Sequence, residues 1–352
     1  MPFSRLPEHG TWTALAPMQD VTTREFMAVI AHYGAPDLFF TEFFRVHSHS
    51  TLEKNILPSI VDNPTGKPIF AQMIGEHIPD LLRTARELQN LPTAGIDLNM
   101  GCPAPKVFKK NVGGGLLKDT PKIRQIFAAL SQELQKPFTV KTRVGFEDSQ
   151  PFDEVIQMVN EFGVRLLSVH GRTVKGLYRS PVDYDLIRLA AREAHCPVLA
   201  NGNISSAEKA IRVVEYTGAK GVMIGRAAIR YPWIFRDIHD LREGKPLLEV
   251  SLEQVREYIE RLYDSLKSPD VPERATVNRL KKFLNFVGQG VDPQGEFLHA
   301  MRRTQTHAEL FAVCDDYLIV GNKAKQVFPR EPWAGVIARP NCEEAEADSC
   351  SL

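Results

Sequence analysis

The chain has 352 residues, 43% apolar and 24% charged, with Lys+Arg and Asp+Glu balanced at 43 each. This is the make-up of a folded globular protein, which excludes a disordered, collagen-like or disulfide-scaffold chain. Zero net charge excludes a globally basic nucleic-acid binder but leaves room for a local basic face.

No apolar run reaches the ~18 residues of a membrane span, and Met1 to Leu6 has no signal-peptide core. The five cysteines (Cys102, Cys196, Cys314, Cys342, Cys350) are odd in number, scattered and without CxxC spacing. That argues against a disulfide framework or a zinc site and for a reducing compartment. The protein is expected to be cytoplasmic, metal-free, unattached to membrane and monomeric.

Eight short apolar runs follow one another: Thr13–Ala16, Leu38–Thr41, Ile69–Met73, Ile96–Met100, Phe138–Thr142, Leu166–His170, Val198–Asn201 and Gly221–Ile224. Their starts lie from 23 residues (198 to 221) to 42 residues (96 to 138) apart. Each interval holds a strand, a helix and two short loops. Helical patterns occupy the gaps. Pro79–Gln89 carries Leu81, Leu82, Ala85 and Leu88 at helical spacing. Pro121–Leu134 follows Thr120 as expected N-cap, and Ser205–Tyr216 opens on two serines. Eight such units predict a closed (β/α)8 TIM barrel; an open doubly wound sheet would need an edge where the pattern stops.

After Leu241 the pattern changes. Gly244-Lys245-Pro246 punctuates the chain, and Ser251 then opens a helix with Gln254 as capping-box partner. Helical patterns continue over Glu273–Val287 and Gly295–Val313. The expected organisation is a barrel over 1–243, a small all-helical C-terminal domain over 244–335, and a disordered acidic tail over 336–352.

In such a barrel the active site sits at the C-terminal ends of the strands. Here those ends carry Pro17-Met18, Thr41-Glu42, Gln72, Asn99, Lys141 with Arg143, His170 with Arg172, Asn201-Gly202-Asn203, and Gly225-Arg226. Each alone reads as a loop, cap or hydrogen-bonded core residue. Their convergence on one rim exceeds what packing requires. The last two segments suit a phosphate, since glycine allows close backbone approach and Arg226 adds a fork of donors. Lys141 is open to three readings: a Schiff-base lysine, a cation beside an electron-rich ring such as a reduced flavin, or half of a structural ion pair. Cys102, on a Gly/Pro-rich mouth loop, reads as reactive. Gly113-Gly114-Gly115 reads as a flexible lid or a close-approach turn.

These motifs together resemble the tRNA-dihydrouridine synthases. The resemblance runs in order through Ala16-Pro17-Met18, Asp97-Leu98-Asn99-Met100-Gly101-Cys102-Pro103, Val140-Lys141-Thr142-Arg143, Val169-His170-Gly171-Arg172-Thr173, Asn201-Gly202-Asn203 and Gly225-Arg226. It implies FMN-dependent reduction of a D-loop uridine of tRNA to 5,6-dihydrouridine, with NADPH or NADH as reductant. It implies Cys102 as general acid. Around FMN it implies Pro17, Met18, Gln19, Gln72, Lys141, His170, Asn201, Gly202, Asn203, Gly225 and Arg226. Asn203 departs from the Asp often found there. Asn99, Arg143 and Arg172 are expected at the substrate base, with His170 and Arg172 open between the uracil carbonyls and the FMN phosphate. Thr41-Glu42-Phe43-Phe44-Arg45-Val46 and the glycine triplet look like the bacterial C-type enzymes, which act at position 16, whereas Asn99-Met100-Gly101-Cys102-Pro103 is closer to the B-type; the lean is to the C-type.

A base must leave the RNA stack to enter a barrel mouth, so something must grip the rest of the tRNA. Between 271 and 330 there are nine bases and six acids. Arg279, Lys281 and Lys282, beside Phe283 and Phe286, are the expected backbone contacts, with a solvated helix face as the bland alternative. Lys106, Lys109, Lys110, Arg172, Lys175 and Arg179 would extend the basic surface. The rival functions are an FMN reductase of a free pyrimidine, a Lys141 lyase and a non-enzymatic RNA binder. A yellow purified protein would exclude the last two.

Overall fold

A computed structural model describes residues 2–8 and 10–338. Its centre is a barrel of parallel strands: β1 (Trp12–Leu15), β2 in two pieces (Phe39–Phe40 and Phe44–Arg45), β3 (Ile69–Ile74), β4 (Gly95–Met100), β5 (Phe138–Arg143), β6 (Leu167–His170), β7 (Val198–Asn201) and β8 (Gly221–Ile224). Sequential strands pair from β2 to β8, β8 pairs with β1, and an Ala14–Leu38 bridge closes the circle. The predicted TIM barrel is the observed one. The one irregularity lies in β2. The Thr41 hydroxyl accepts the Gln72 N–H at 3.0 Å and donates to the Glu42 carbonyl, so side chain replaces backbone there and the strand breaks.

The barrel interior has an apolar floor. Trp12, Ala14, Leu38, Phe40, Phe70, Leu166, Leu199 and Met223 form one cluster. Phe3 plugs its N-terminal end, stacking on Phe70 and Trp12 at 5.6 and 6.1 Å between centroids. Above that floor the inward positions turn polar, and this sets the height of the site.

Helices cover the outside: α1 (Arg24–Gly34), α2 (Ile78–Gln89), α3 (Thr120–Glu133), α4 (Phe152–Glu161), α5 (Tyr184–Glu193), α6 (Ala207–Thr217), α7 (Arg226–Arg230) and α8 (Ile234–Arg242). Local chemistry fixes their starts. Ser206 caps α6, as its sequence suggested. For α3 the cap is Asp119, whose carboxylate accepts from the Lys122 N–H at 2.9 Å. The expected cap, Thr120, is instead the first helical residue; a carboxylate at the positive helix end is the stronger acceptor.

Among the described residues four further α-helices follow: α9 (Leu252–Leu266), α10 (Glu273–Val287), α11 (Glu296–Arg303) and α12 (His307–Leu318). The Ser251–Gln254 capping box is present. The single helix expected over Gly295–Val313 is two. A second capping box, Thr306 with Glu309, starts α12 and overrides the continuing apolar spacing.

One apolar cluster runs from the barrel helices into the helical region. Phe26 of α1 packs on Phe283 of α10 at 5.3 Å, and Tyr33 on Tyr258 at 5.3 Å. The buried Tyr258 hydroxyl donates to the Ile229 carbonyl at 2.8 Å. Each such large side chain contributes about 1.5–3 kcal/mol by burial. Of the segment expected to be a tail, Val336 and Ala338 give their carbonyls to Gln289 and Arg302, both at 2.9 Å. Residues 339–352 lie outside the described residues. Among the described residues no helix is long and apolar enough to cross a membrane.

Candidate active site

Side chains two apart on a strand share a face. That periodicity gathers Asp97 and Asn99 of β4, Thr139, Lys141 and Arg143 of β5, and Ser168 and His170 of β6. Register sets them side by side: Gln72 faces Asp97, Asn99 faces Lys141, Arg143 faces His170, and His170 faces Asn201. The rim expected from the strand ends is therefore assembled.

Its lower tier is a hydrogen-bonded row. Thr139 Oγ1 donates to Asp97 Oδ1 at 2.6 Å, and Gln72 Nε2 donates to Asp97 Oδ2 at 2.7 Å. Asn99 Nδ2 donates to Gln72 Oε1 at 2.8 Å. Asn99 Oδ1 then accepts the N–H groups of Gly101 and Cys102 at 3.1 and 3.0 Å. Cys102 is half-buried. Burial pushes its thiol up, against the opposing charges of Arg143, Lys141 and Lys106, so it carries its proton at neutral pH. The glycine triplet is a close-approach turn and not a lid. All three glycines are buried in a 3-10 helix, and the Gly114 N–H binds the Cys102 carbonyl at 3.2 Å.

Lys141 donates to Asn201 Oδ1 at 3.1 Å, and Asn201 Nδ2 donates to the Met223 carbonyl at 2.7 Å. Burial, with Arg143 nearby, lowers the Lys141 ammonium to about 8. His170 is buried, and burial plus four surrounding cations holds it well below its usual range, so it is neutral. Its Nδ1 has no hydrogen-bond partner among the described residues. Arg143 is buried and spans two loops: Nε binds the Gly101 carbonyl at 3.1 Å, and one terminal nitrogen binds the Thr173 and Leu177 carbonyls, both at 2.7 Å. Arg172 is buried too, on the Ser180 carbonyl and, at 3.0 Å, on Asn203 Oδ1. It therefore does not extend the basic surface.

The remaining rim is backbone. Gly202 sits at φ +125°, and Asn203 is left-handed at φ 47°. A Cβ on Gly225 would stand 3.3 Å from Met18 Sδ, so the Pro17-Met18 turn lies against the start of α7. Arg226 crosses the Tyr178 ring at 4.6 Å and Arg143 crosses it at 5.3 Å. Gln19 donates to Glu42 at 3.0 Å.

The dihydrouridine synthase family profile matches residues 14–318 of this chain. The chain belongs to the dihydrouridine synthase family. Among similar proteins, the tRNA-dihydrouridine synthase B of Vibrio vulnificus is 35% identical over 245 residues, 69% of this chain and 76% of that one. The tRNA-dihydrouridine synthase B of Pasteurella multocida is 31% identical over 320 residues, 89% and 95% of the two chains. The tRNA-dihydrouridine(16) synthase of Neisseria meningitidis is 29% identical over 312 residues, 86% and 94%. Relatives of both names align, the B-named ones at the higher identity.

In this family member the expected RNA contacts lie on α10. Arg279 and Lys282 are exposed. Lys281 is not free: its ammonium holds the carbonyls of Arg302 and Thr304 at the end of α11. Two mouth residues were not among the sequence candidates: Asp97 and Tyr178. An Asp two positions before Asn99 in an otherwise apolar run was a readable signal for the first. Tyr178 lies in a loop with no periodicity to mark it. Buried Glu42 is raised to about 7 by loss of solvent.

Proposed function

We propose that the chain is a tRNA-dihydrouridine synthase that reduces the C5–C6 bond of a D-loop uridine, with FMN bound in the barrel mouth and NADPH or NADH as reductant. The observation that carries this reading is Cys102. A proton-bearing thiol sits on the rim of a polar mouth with its backbone pinned by Asn99, in a chain matched to the family over residues 14–318.

The residues present fit FMN. The His170 Nδ1 atom is buried without a partner among the described residues. Gly202 and Gly225 lack the Cβ that would stand 2.9 Å from Val182 and 3.3 Å from Met18, so both backbone turns close tightly at the rim. Pro17, Met18, Gln19 and Gln72 would hold the ring, and Asn201, Gly202, Asn203, Gly225 and Arg226 the phosphate end. When bound, FMN supplies the hydride for C6 after reduction by the nicotinamide. Lys141 brings a fixed ammonium, able to balance negative charge on a reduced ring. Neutral His170 offers one N–H and one acceptor. Cys102 gives its proton to C5, and burial keeps that proton in place until the base arrives. Arg279 and Lys282 grip tRNA phosphates while the base is out of the stack.

The test is to incubate the purified protein with FMN, NADPH and an unmodified tRNA transcript, then map dihydrouridine by mass spectrometry. Dihydrouridine at a D-loop position, absent with Cys102→Ala, is expected, and the mapped position decides between position 16 and another. No dihydrouridine in tRNA, or equal turnover of free uracil, would overturn the reading.

A further inference from the structure

The row beneath Cys102 has a direction, and its two ends fix that direction. At one end stand the backbone N–H groups of Gly101 and Cys102, which can only donate. At the other stands Asp97, fully buried between Thr139 and Gln72. Between them lie two amides, each able to turn end for end. The Asn99 carbonyl must face the two N–H groups, so its NH2 faces Gln72. The Gln72 carbonyl must meet that NH2, so the NH2 of Gln72 needs an acceptor, and Asp97 supplies it.

Resting on the reading of Cys102 as proton donor, we infer that Asp97 is a positioning residue. Acting through Gln72 and Asn99, it sets the hydrogen-bond direction that holds the Cys102 loop in place. Loss of solvent raises its carboxyl to about 6, against the bonds from Thr139 and Gln72 and the charge of Lys141. Its two oxygens each face a donor, Thr139 Oγ1 at 2.6 Å and Gln72 Nε2 at 2.7 Å, so it serves as acceptor on both. Without that acceptor Gln72 is free to turn, its NH2 opposes the NH2 of Asn99, and turning Asn99 would put donor against donor at Cys102. No atom of Asp97 needs to touch substrate.

Two variants of the holoenzyme separate these roles. Asn at position 97 keeps an oxygen toward Gln72 and turns its NH2 to the Thr139 hydroxyl, which can accept. Ala keeps neither. Single-turnover reduction of tRNA is expected to fall about 100-fold in Asp97→Ala, the scale of a 1 Å misplacement, and to stay within about threefold of the parent in Asp97→Asn. Flavin reduction by NADPH should hold in both. The independent readout is the pH profile of Cys102 alkylation by iodoacetamide, followed by peptide mass spectrometry. With its loop released the thiol loses burial, so in Asp97→Ala the midpoint should fall and the rate rise, while Asp97→Asn matches the parent.

An unchanged alkylation profile in Asp97→Ala overturns the inference. A moved profile with unchanged tRNA reduction supports the positioning and refutes Cys102 as the donor, which is a failure of the functional reading alone. If Asp97→Ala does not fold, Gln72→Glu serves. Alone it sets two carboxylates together and should displace the profile. Combined with Asp97→Asn, which then donates to it, the row regains its direction and the parental profile should return. The same displaced profile in single and double variants overturns the inference.

Discussion

Replacing Arg143 with Met asks whether this buried guanidinium touches substrate or ties the mouth together. It holds three carbonyls on two loops, those of Gly101, Thr173 and Leu177. Hydrogen bonds from a charged donor contribute about 1.5–3 kcal/mol each. Thr173 and Leu177 are partly exposed, so water takes over there and most of the loss falls on the buried Gly101 carbonyl. Met removes the burial cost of the guanidinium, which offsets part of the rest. The net loss is about 2 kcal/mol. Unfolding entropy is about 2.1 cal/mol/K per residue, so over 352 residues the Tm should fall by about 3 °C. Differential scanning fluorimetry measures this, and hydrogen exchange should show faster exchange at 101–104 and 173–180. An unchanged Tm and exchange pattern, with tRNA affinity alone lost, would refute the tie and make Arg143 a substrate contact.

Gly114→Ala places a Cβ 2.9 Å from the Cys102 carbonyl and 2.6 Å from Val174; tRNA reduction should fall about 100-fold while NADPH oxidation holds, as stopped-flow on the two half-reactions would show. Replacing Arg279 and Lys282 by Ala should flatten the salt dependence of tRNA binding by about 1.8 units of slope, at about 0.9 per phosphate contact. Lys281→Ala should leave the slope alone and lower the Tm, because its partners are two carbonyls of α11. Lys141 titrates at about 8 in the fold against 10.5 normally, so the unfolded chain binds the extra proton between those values. This group's contribution to the stability of flavin-free protein should therefore rise with pH from about 8 to 10.5, and Lys141→Met should flatten the pH–Tm curve over that window; a parental curve in that variant would contradict this.

The barrel was legible because its signal is periodic and repeated. Short apolar runs at regular intervals leave few topologies open, and the rim followed from asking what ends each strand. What the sequence hid is what depends on partners far away in the chain. Lys281 reads as a member of a basic cluster, yet it caps a helix more than twenty residues on. Arg172 reads as part of a basic surface and Arg143 as a contact to the substrate base, and both are buried against backbone carbonyls. The break between α11 and α12 was written as a Thr-x-x-Glu box, but apolar spacing continued across it. Asp97 was visible in the motif, yet its role needs Gln72, which only strand register brings alongside.

The continuous core joining α1 to α9 and α10, with Phe26 on Phe283 and Tyr33 on Tyr258, seats the helical region on the outside of the barrel. Grafting that region onto another barrel would cut through packed side chains. If α10 holds tRNA as proposed, retargeting is best attempted by changing charges on the outer face of α10 while its inner face stays as it is.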